Sequence, residues 1–286
     1  MSAHAAIFRP RKRTKLPSPS HLSIVITTQN LRSAHAGGPR SRQAQQAKCH
    51  SAMQHLTDQN HIVCFQELGL ASSDPARELL NIVDGPAGSQ AIVCSSRRGA
   101  GSGVGIFLHK LIAKYYTASQ PPLKKVAGRA VMALLAPIQQ GPTILIINLH
   151  LGSTWEKRTA QLGIIRKAAP TADYYFVLGD WNMVEAPSDG PPGYSGLRWS
   201  AAFRTEYNRF VAHFRLTERP QLGMTHFALL TPKNKPLQLI ATRIDRILTS
   251  HTAGELGVTR WTVYLSNLGW SMMRALRMAD VDALHA

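Results

Sequence analysis

The chain is short of acid, of cysteine and of long apolar runs. Of its 286 residues 16 are Asp or Glu, against 33 Lys and Arg, a formal net charge of +17. No acidic residue precedes Asp58, whereas nine basic ones do. Setting those nine aside leaves 24 basic residues against 16 acidic ones, or +8, so the body is basic without its leader. That imbalance favours a polyanionic partner, nucleic acid first and an anionic membrane second, over charge that serves solubility alone. No apolar run approaches the roughly 18 residues of a membrane span, so a soluble protein is expected. Cys49, Cys64 and Cys94 show neither zinc spacing nor an even count for disulfides, and Cys64 and Cys94 sit inside apolar strand-like runs. They read as reduced core thiols of an intracellular protein.

What is present is enough for a full core: 286 residues, 44% of them apolar. Residues 1–21 stand apart. They hold Arg9, Arg11, Lys12, Arg13 and Lys15 followed by Pro17 and Pro19, a composition expected to stay disordered. The run RPRKRTK supports a nuclear address or a nucleic-acid arm, and an organelle presequence or a solvated tail share the same composition. From residue 22 to 286 no repeat and no linker interrupts the pattern, so one domain after a basic tail is the simplest parse.

Strand-like runs recur along that body: LSIVIT from Leu22, HIVCF from His61, QAIVCS from Gln90, GVGIFL from Gly103, RAVMALL from Arg129, TILIINLHL from Thr143, YYFVL from Tyr174, RIDRILT from Arg243 and VTRWTVYL from Val258. Most are rich in β-branched or aromatic residues and bounded by Gly, Pro or Ser. Helices fit between some of them. S-T-W-E from Ser153 offers a capping box with Glu156 at its third position. Residues 201–214 place Phe203, Tyr207, Phe210 and Phe214 on one face, which reads as core packing. This mixture predicts mixed sheets with helices outside.

Several of the runs end in polar residues. YYFVL stops at Gly179, and Asp180 and Asn182 follow on one side of the extended chain, with Trp181 facing away. LSIVITT leads to Asn30 and Arg32, HIVCF to Gln66 and Glu67, TILII to Asn148 and His150, and RID places Asp245 between two arginines. Each has a plain alternative: a turn residue, a helix N-terminal carboxylate, a satisfied core histidine, an ion-pair partner. Together they form a set suited to phosphodiester hydrolysis, which needs charge neutralised on the phosphoryl oxygens, a water held in line and a proton for the departing oxygen. Mg2+ prefers carboxylate and amide oxygens, and Glu67 with Asn30 offers such donors. Asp180 could then take the water's proton, Asn182 orient it and His150 donate to the phosphoryl group or leaving oxygen.

In order, TTQNLRSA, CFQELGL, GVGIFL, INLHLG, VLGDWN and TRIDRIL resemble the endonuclease/exonuclease/phosphatase superfamily over residues 22 to 282. The resemblance implies a deoxyribonuclease-like α/β fold, a four-layer α/β sandwich of two mixed β-sheets packed face to face with helices outside. It implies catalytic roles for Asp180, Asn182, His150, Asp245 and Asp280, and Mg2+ held by Glu67 and Asn30, with Mn2+ compatible. It places Asn30, Asn148, Asn182, Arg32 and Arg129 at the phosphate or substrate. Asp245 is expected to orient a catalytic histidine. The closing Ser-Asp-His of that superfamily is expected after one more strand, at Ala279-Asp280-Val281, where Val281 stands in the histidine's place and the domain looks truncated. A valine neither carries a proton nor donates a hydrogen bond, so reduced activity is expected, and the strand before that slot should be short and leave an unpaired edge.

The leading expectation is therefore a Mg2+-dependent endonuclease, monomeric and nuclear, acting on DNA more than RNA. A non-catalytic nucleic-acid-binding remnant of a retroelement endonuclease is the alternative, and a phosphatase or phosphodiesterase acting on a phospholipid or phosphoinositide is the second.

Overall fold

The computed structural model describes residues 24, 26–31, 39–70, 72–95, 103–123, 126–185, 199–218, 226–230, 238–242, 245–250, 258–265 and 271–278. The basic tail, Arg32, Asp280 and Val281 lie outside the described residues.

Two six-stranded sheets carry the fold. The first uses β1 (Ile26–Asn30), β2 (Ile62–Gln66), β3 (Gln90–Cys94), β4 (Val104–Leu108), β13 (Val258–Leu265) and β14 (Ser271–Met278), in the order β13-β14-β1-β2-β4-β3. The second uses β5 (Tyr116–Ser119), β6 (Ala130–Pro137), β7 (Ile144–His150), β8 (Tyr174–Asp180), β9 (Thr217–Glu218) and β12 (Asp245–Thr249), in the order β5-β6-β7-β8-β12-β9. A separate hairpin pairs β10 (His226–Leu230) with β11 (Gln238–Thr242). Both large sheets are mixed, and in each the parallel pair is central: β1 with β2, and β7 with β8. A parallel pair needs a crossover, which α1 (Pro39–Gln59) and α4 (Trp155–Ala168) supply. Three more helices, α2 (Pro75–Ile82), α3 (Lys110–Ala113) and α5 (Ala201–His213), complete the described set.

Burial divides into three apolar layers. Ile26, Ile62, Cys64, Ile106, Val131, Ile146, Leu178 and Ile247 meet between the sheets. Cys49, Met53 and Leu56 of α1 and Leu79 of α2 cover the outer face of the first sheet through Val63, Phe65 and Phe107. Leu162 and Ile165 of α4, with Phe203, Tyr207 and Phe210 of α5, cover the second through Leu145, Ile147 and Val177. Alternation puts odd and even residues of one strand into different layers, which is why Ile146 and Ile147 belong to different cores. The four layers expected from the sequence are the layers observed, and the Phe203–Phe214 stripe is core packing. The three cysteines are free; burial pushes the Cys49 thiol up to about 11 and Cys64 higher still.

Two local expectations change. The cap of α4 is Thr154 rather than Ser153: its hydroxyl accepts from Lys157 N–H at 3.4 Å, so Glu156 falls one place short of the capping-box position. The last strand is neither short nor unpaired. β14 spans eight residues and pairs antiparallel on both sides, with β1 and β13. Its sequence, SMMRALRM, is rich in helix formers, and two ladders of backbone hydrogen bonds override that modest preference.

Candidate active site

The carboxyl ends of the two central parallel pairs open at the same end of the molecule. Asn30 ends β1, Glu67 follows β2, His150 ends β7 and Asp180 ends β8 directly beside it in the ladder. Two side chains thus come from each sheet, in the kind of crevice that open α/β sheets form beyond their strand ends. The Asn30 amide donates to Asp180 Oδ2 at 2.7 Å, bridging the sheets. His150 Nε2 stands 3.8 Å from Glu67 Oε1 and 3.9 Å from Asp180 Oδ2.

Backbone geometry holds these groups in place at a local cost. Gly179 has φ +130°, and a Cβ there would overlap the Leu149 carbonyl oxygen of the neighbouring strand. Only glycine lets β8 pass this close to β7 just before Asp180. Glu67 (φ 57°) and Asn182 (φ 50°) occupy the left-handed region, uncommon for residues with side chains. Strain of this kind persists where the surroundings over-determine it and concentrates at functional sites. Asn182 is fixed twice: its backbone N–H donates to Asp180 Oδ1 at 2.7 Å and its side-chain amide donates to the Leu151 carbonyl at 2.8 Å. Trp181 faces away as expected, wholly buried against Tyr207 and Phe210.

The electrostatics are unbalanced. Burial pushes the Asp180 carboxyl above the ordinary range and the nearby Glu67 charge adds to this; the Asn182 and Asn30 hydrogen bonds and the Arg158 charge pull the other way without cancelling it. Burial, and after it the Arg129 guanidinium, lower the His150 imidazole to about 4. Arg129 Nη1 lies 3.2 Å from Nδ1 and 3.4 Å from Nε2 of that ring. His150 is therefore neutral at physiological pH and able to donate a hydrogen bond from one nitrogen.

Of the residues singled out from the sequence, Asn30, Glu67, Arg129, His150, Asp180 and Asn182 are brought together. Asp245 joins them on β12, directly across the ladder from Asp180 and buried on the same face. Asn148 does not. It is fully buried below the site, its amide donating to the Phe65 and Gly105 carbonyls at 2.8 Å each and its oxygen accepting from Gln66 at 2.6 Å. With those bonds made inside the sandwich, Asn148 is a tie between sheets rather than a phosphate contact. Asp280 and Val281 lie outside the described residues, which reach Met278 on β14. Gln29 lies opposite Met272, so β14 starts at the site end and runs away from it. Six residues further, at about 3.3 Å each, put Met278 roughly 20 Å along the sheet. The paired residues that the β13–β14 hairpin brings to the site end are Leu265 and Ser271.

Arg158 was not legible as a site residue. It is buried in the first turn of α4, donates to the Gly152 and Ser153 carbonyls at 2.7 and 2.9 Å, stacks 4.4 Å over Trp155 and lends positive charge to Asp180. The only signal was its place one turn after a polar strand end.

Glu67, His150 and Asp180 each present a ligand atom, all within 4.8 Å of one another. Two converging carboxylates, one of them desolvated, with an amide at hand form a donor set that suits a hard divalent cation.

A sequence profile of the Endonuclease/Exonuclease/phosphatase family matches residues 27–267. No curated protein sequence matches. Among solved structures, the AP endonuclease LMAP from Leishmania major superposes with TM-score 0.65 at 13% identity, over 92% of this chain and 90% of that one. The endonuclease domain of TRAS1, a telomere-specific non-LTR retrotransposon, does so with TM-score 0.56 at 14% identity, over 90% and 100%. The 3' phosphatase NExo from Neisseria, bound to a product DNA hairpin, gives TM-score 0.56 at 16% identity, over 90% and 100%. At these identities the likeness is one of fold.

Proposed function

This chain belongs to the endonuclease/exonuclease/phosphatase family, and on that premise we propose that it is a divalent-metal-dependent phosphodiesterase cutting nucleic acid, DNA before RNA, as an endonuclease. The observation that carries the reading is the meeting of Asn30, Glu67, His150 and Asp180 from four strand ends of two sheets. The basic balance of the chain fits a polyanionic substrate. Named neighbours of the same fold include an AP endonuclease and a phosphatase bound to DNA.

Glu67 and the Asn30 side-chain oxygen would hold Mg2+, with Mn2+ also compatible. When bound, the cation supplies Lewis-acid neutralisation of the phosphoryl charge. The remaining work falls to protein groups. Asp180, fixed by hydrogen bonds on both oxygens, accepts the proton of the attacking water; its raised pKa makes it a better base than an ordinary carboxylate. His150, held neutral, donates to a phosphoryl oxygen, and Arg129 adds positive charge behind it.

Nicking of supercoiled plasmid by the wild-type protein, in Mg2+ and in EDTA, tests this. Cleavage only with Mg2+, abolished by Asp180→Ala, is the expected result. Folded protein that cleaves neither DNA nor RNA in Mg2+ or Mn2+ rejects it.

A further inference from the structure

Glu67 stands on one sheet and His150 and Asp180 on the other, so the site exists only while the two sheets keep their relative position. The interface between them is otherwise apolar at its centre, formed by side chains such as Ile62, Ile106, Ile146 and Leu178. Apolar contact is non-directional and does not by itself fix how one sheet sits on the other. One polar feature interrupts that layer, and it lies directly below the site. Gln66, the residue before Glu67, and Asn148, two residues before His150, are both fully buried and joined at 2.6 Å from Gln66 Nε2 to Asn148 Oδ1. The Asn148 amide then reaches across to the carbonyls of Phe65 on β2 and Gly105 on β4, 2.8 Å to each. Gln66 Nε2 also meets Thr28 Oγ1 at 2.9 Å on β1. Three neighbouring strands of the first sheet are thereby tied to one residue pair reaching the second.

Stability alone does not account for this pair. Gln66 Oε1 is buried without a hydrogen-bond partner among the described residues, a cost that an apolar side chain of the same size would avoid. Each amide is also adjacent in sequence to a group it can aim: Gln66 immediately precedes the left-handed Glu67, and Asn148 shares its strand face with His150.

We propose that the buried Gln66–Asn148 amide pair is a positioning device that sets the spacing between Glu67 and the His150–Asp180 half of the site, and so governs metal binding and turnover without touching either metal or substrate. The proposal rests on the functional reading above. Gln66 and Asn148 act through their neighbours, and hydrogen bonds of defined length and direction give the sheet interface a register that packing lacks.

The test uses the full chain with two readouts: Mn2+ affinity by titration calorimetry and plasmid nicking with kcat and KM resolved. Gln66→Leu and Asn148→Leu are each expected to weaken Mn2+ binding about 10-fold or more, the usual scale for groups that support metal ligands, and to lower kcat more than they raise KM. The double variant should be no worse than the poorer single variant, because the pair works as a unit. Thr28→Val removes a buried hydrogen bond to the same Gln66 amide without breaking the link between sheets, and should leave both readouts within about 3-fold of wild type. Where Asn148→Leu does not fold, Gln66→Met carries the test, since it leaves Asn148 its two carbonyl contacts. Folded Gln66 and Asn148 variants with wild-type Mn2+ affinity and kcat overturn the proposal while leaving the site reading intact, as does Thr28→Val causing equal losses. A wild-type protein that binds no Mn2+, or binds it undiminished in Glu67→Gln, overturns the site reading and this proposal with it.

Discussion

Asp245 and Arg246 are consecutive on β12, and their two faces of the sheet were built to opposite rules. Arg246, fully buried, meets Glu185 at 2.9 Å and Glu218 at 2.6 Å, and Tyr207 closes the group by donating to Glu185 at 3.0 Å. That cluster sets one guanidinium between two carboxylates. Across the sheet, Asp245 faces Asp180 and the Glu67–His150 group, where carboxylates converge, a histidine is held neutral and two residues sit in left-handed backbone. One face sets opposite charges against each other; the other gathers carboxylates around a neutral imidazole.

The difference can be broken from either side. Asp180→Ala should cost activity about 10²- to 10⁴-fold, as loss of a positioned base does, while leaving the melting temperature unchanged or higher because it relieves a buried carboxylate; nicking kinetics and calorimetry together check this. A clear drop in stability in that variant would place Asp180 among the structural groups instead. Arg246→Met should do the reverse, lowering stability by about 3 kcal/mol by stranding Glu185 and Glu218, with any loss of activity following the loss of folded protein in urea titrations. Gly179→Ala is expected to cost about 2 kcal/mol or more, from the clash with Leu149 and the positive φ together, and to impair cleavage even at low temperature where the protein stays folded. The smallest effect concerns pH. An imidazole whose folded pKa lies near 4, against about 6.5 unfolded, contributes stability that is complete above pH 6.5 and is lost as pH falls toward 4. Asp180, with its pKa raised, favours the folded state on acidification, so the net slope is reduced. Because the two shifts nearly offset each other in wild type, His150→Gln should gain melting temperature relative to wild type in EDTA as pH falls from 6.5 to 4. An unchanged slope in that variant would mean the histidine is not held neutral.

Much of this was legible locally. Alternation along YYFVLGDWN placed Asp180 opposite Trp181, and the apolar core took Trp181 while Asp180 turned to the cleft. The aromatic stripe of α5 announced its buried face in the same way. Asn148 shows where that reading stops. Period two put it correctly on the same face as His150, but depth along a strand depends on the sheet lying over it, so a residue one step below the mouth became a tie within the sandwich. β14 shows a second limit. Met, Ala, Leu and Arg carry no strand signal, and nothing local to them tells that this segment is a strand or which way it runs.

The sequence by itself determined nine of the strands, the faces they bury, the polar residues at their tips and the basic balance of the chain, because each follows from side-chain chemistry and a period of two or 3.6 residues. The tertiary structure alone decided that the tips of four strands from two sheets meet, that Gln66 and Asn148 bind the sheets beneath them and that β14 enters at the site end. These depend on pairing direction and on sheet-to-sheet distance. Both are set by contacts between residues far apart in the chain, Asn30 with Asp180 and Gln66 with Asn148 among them.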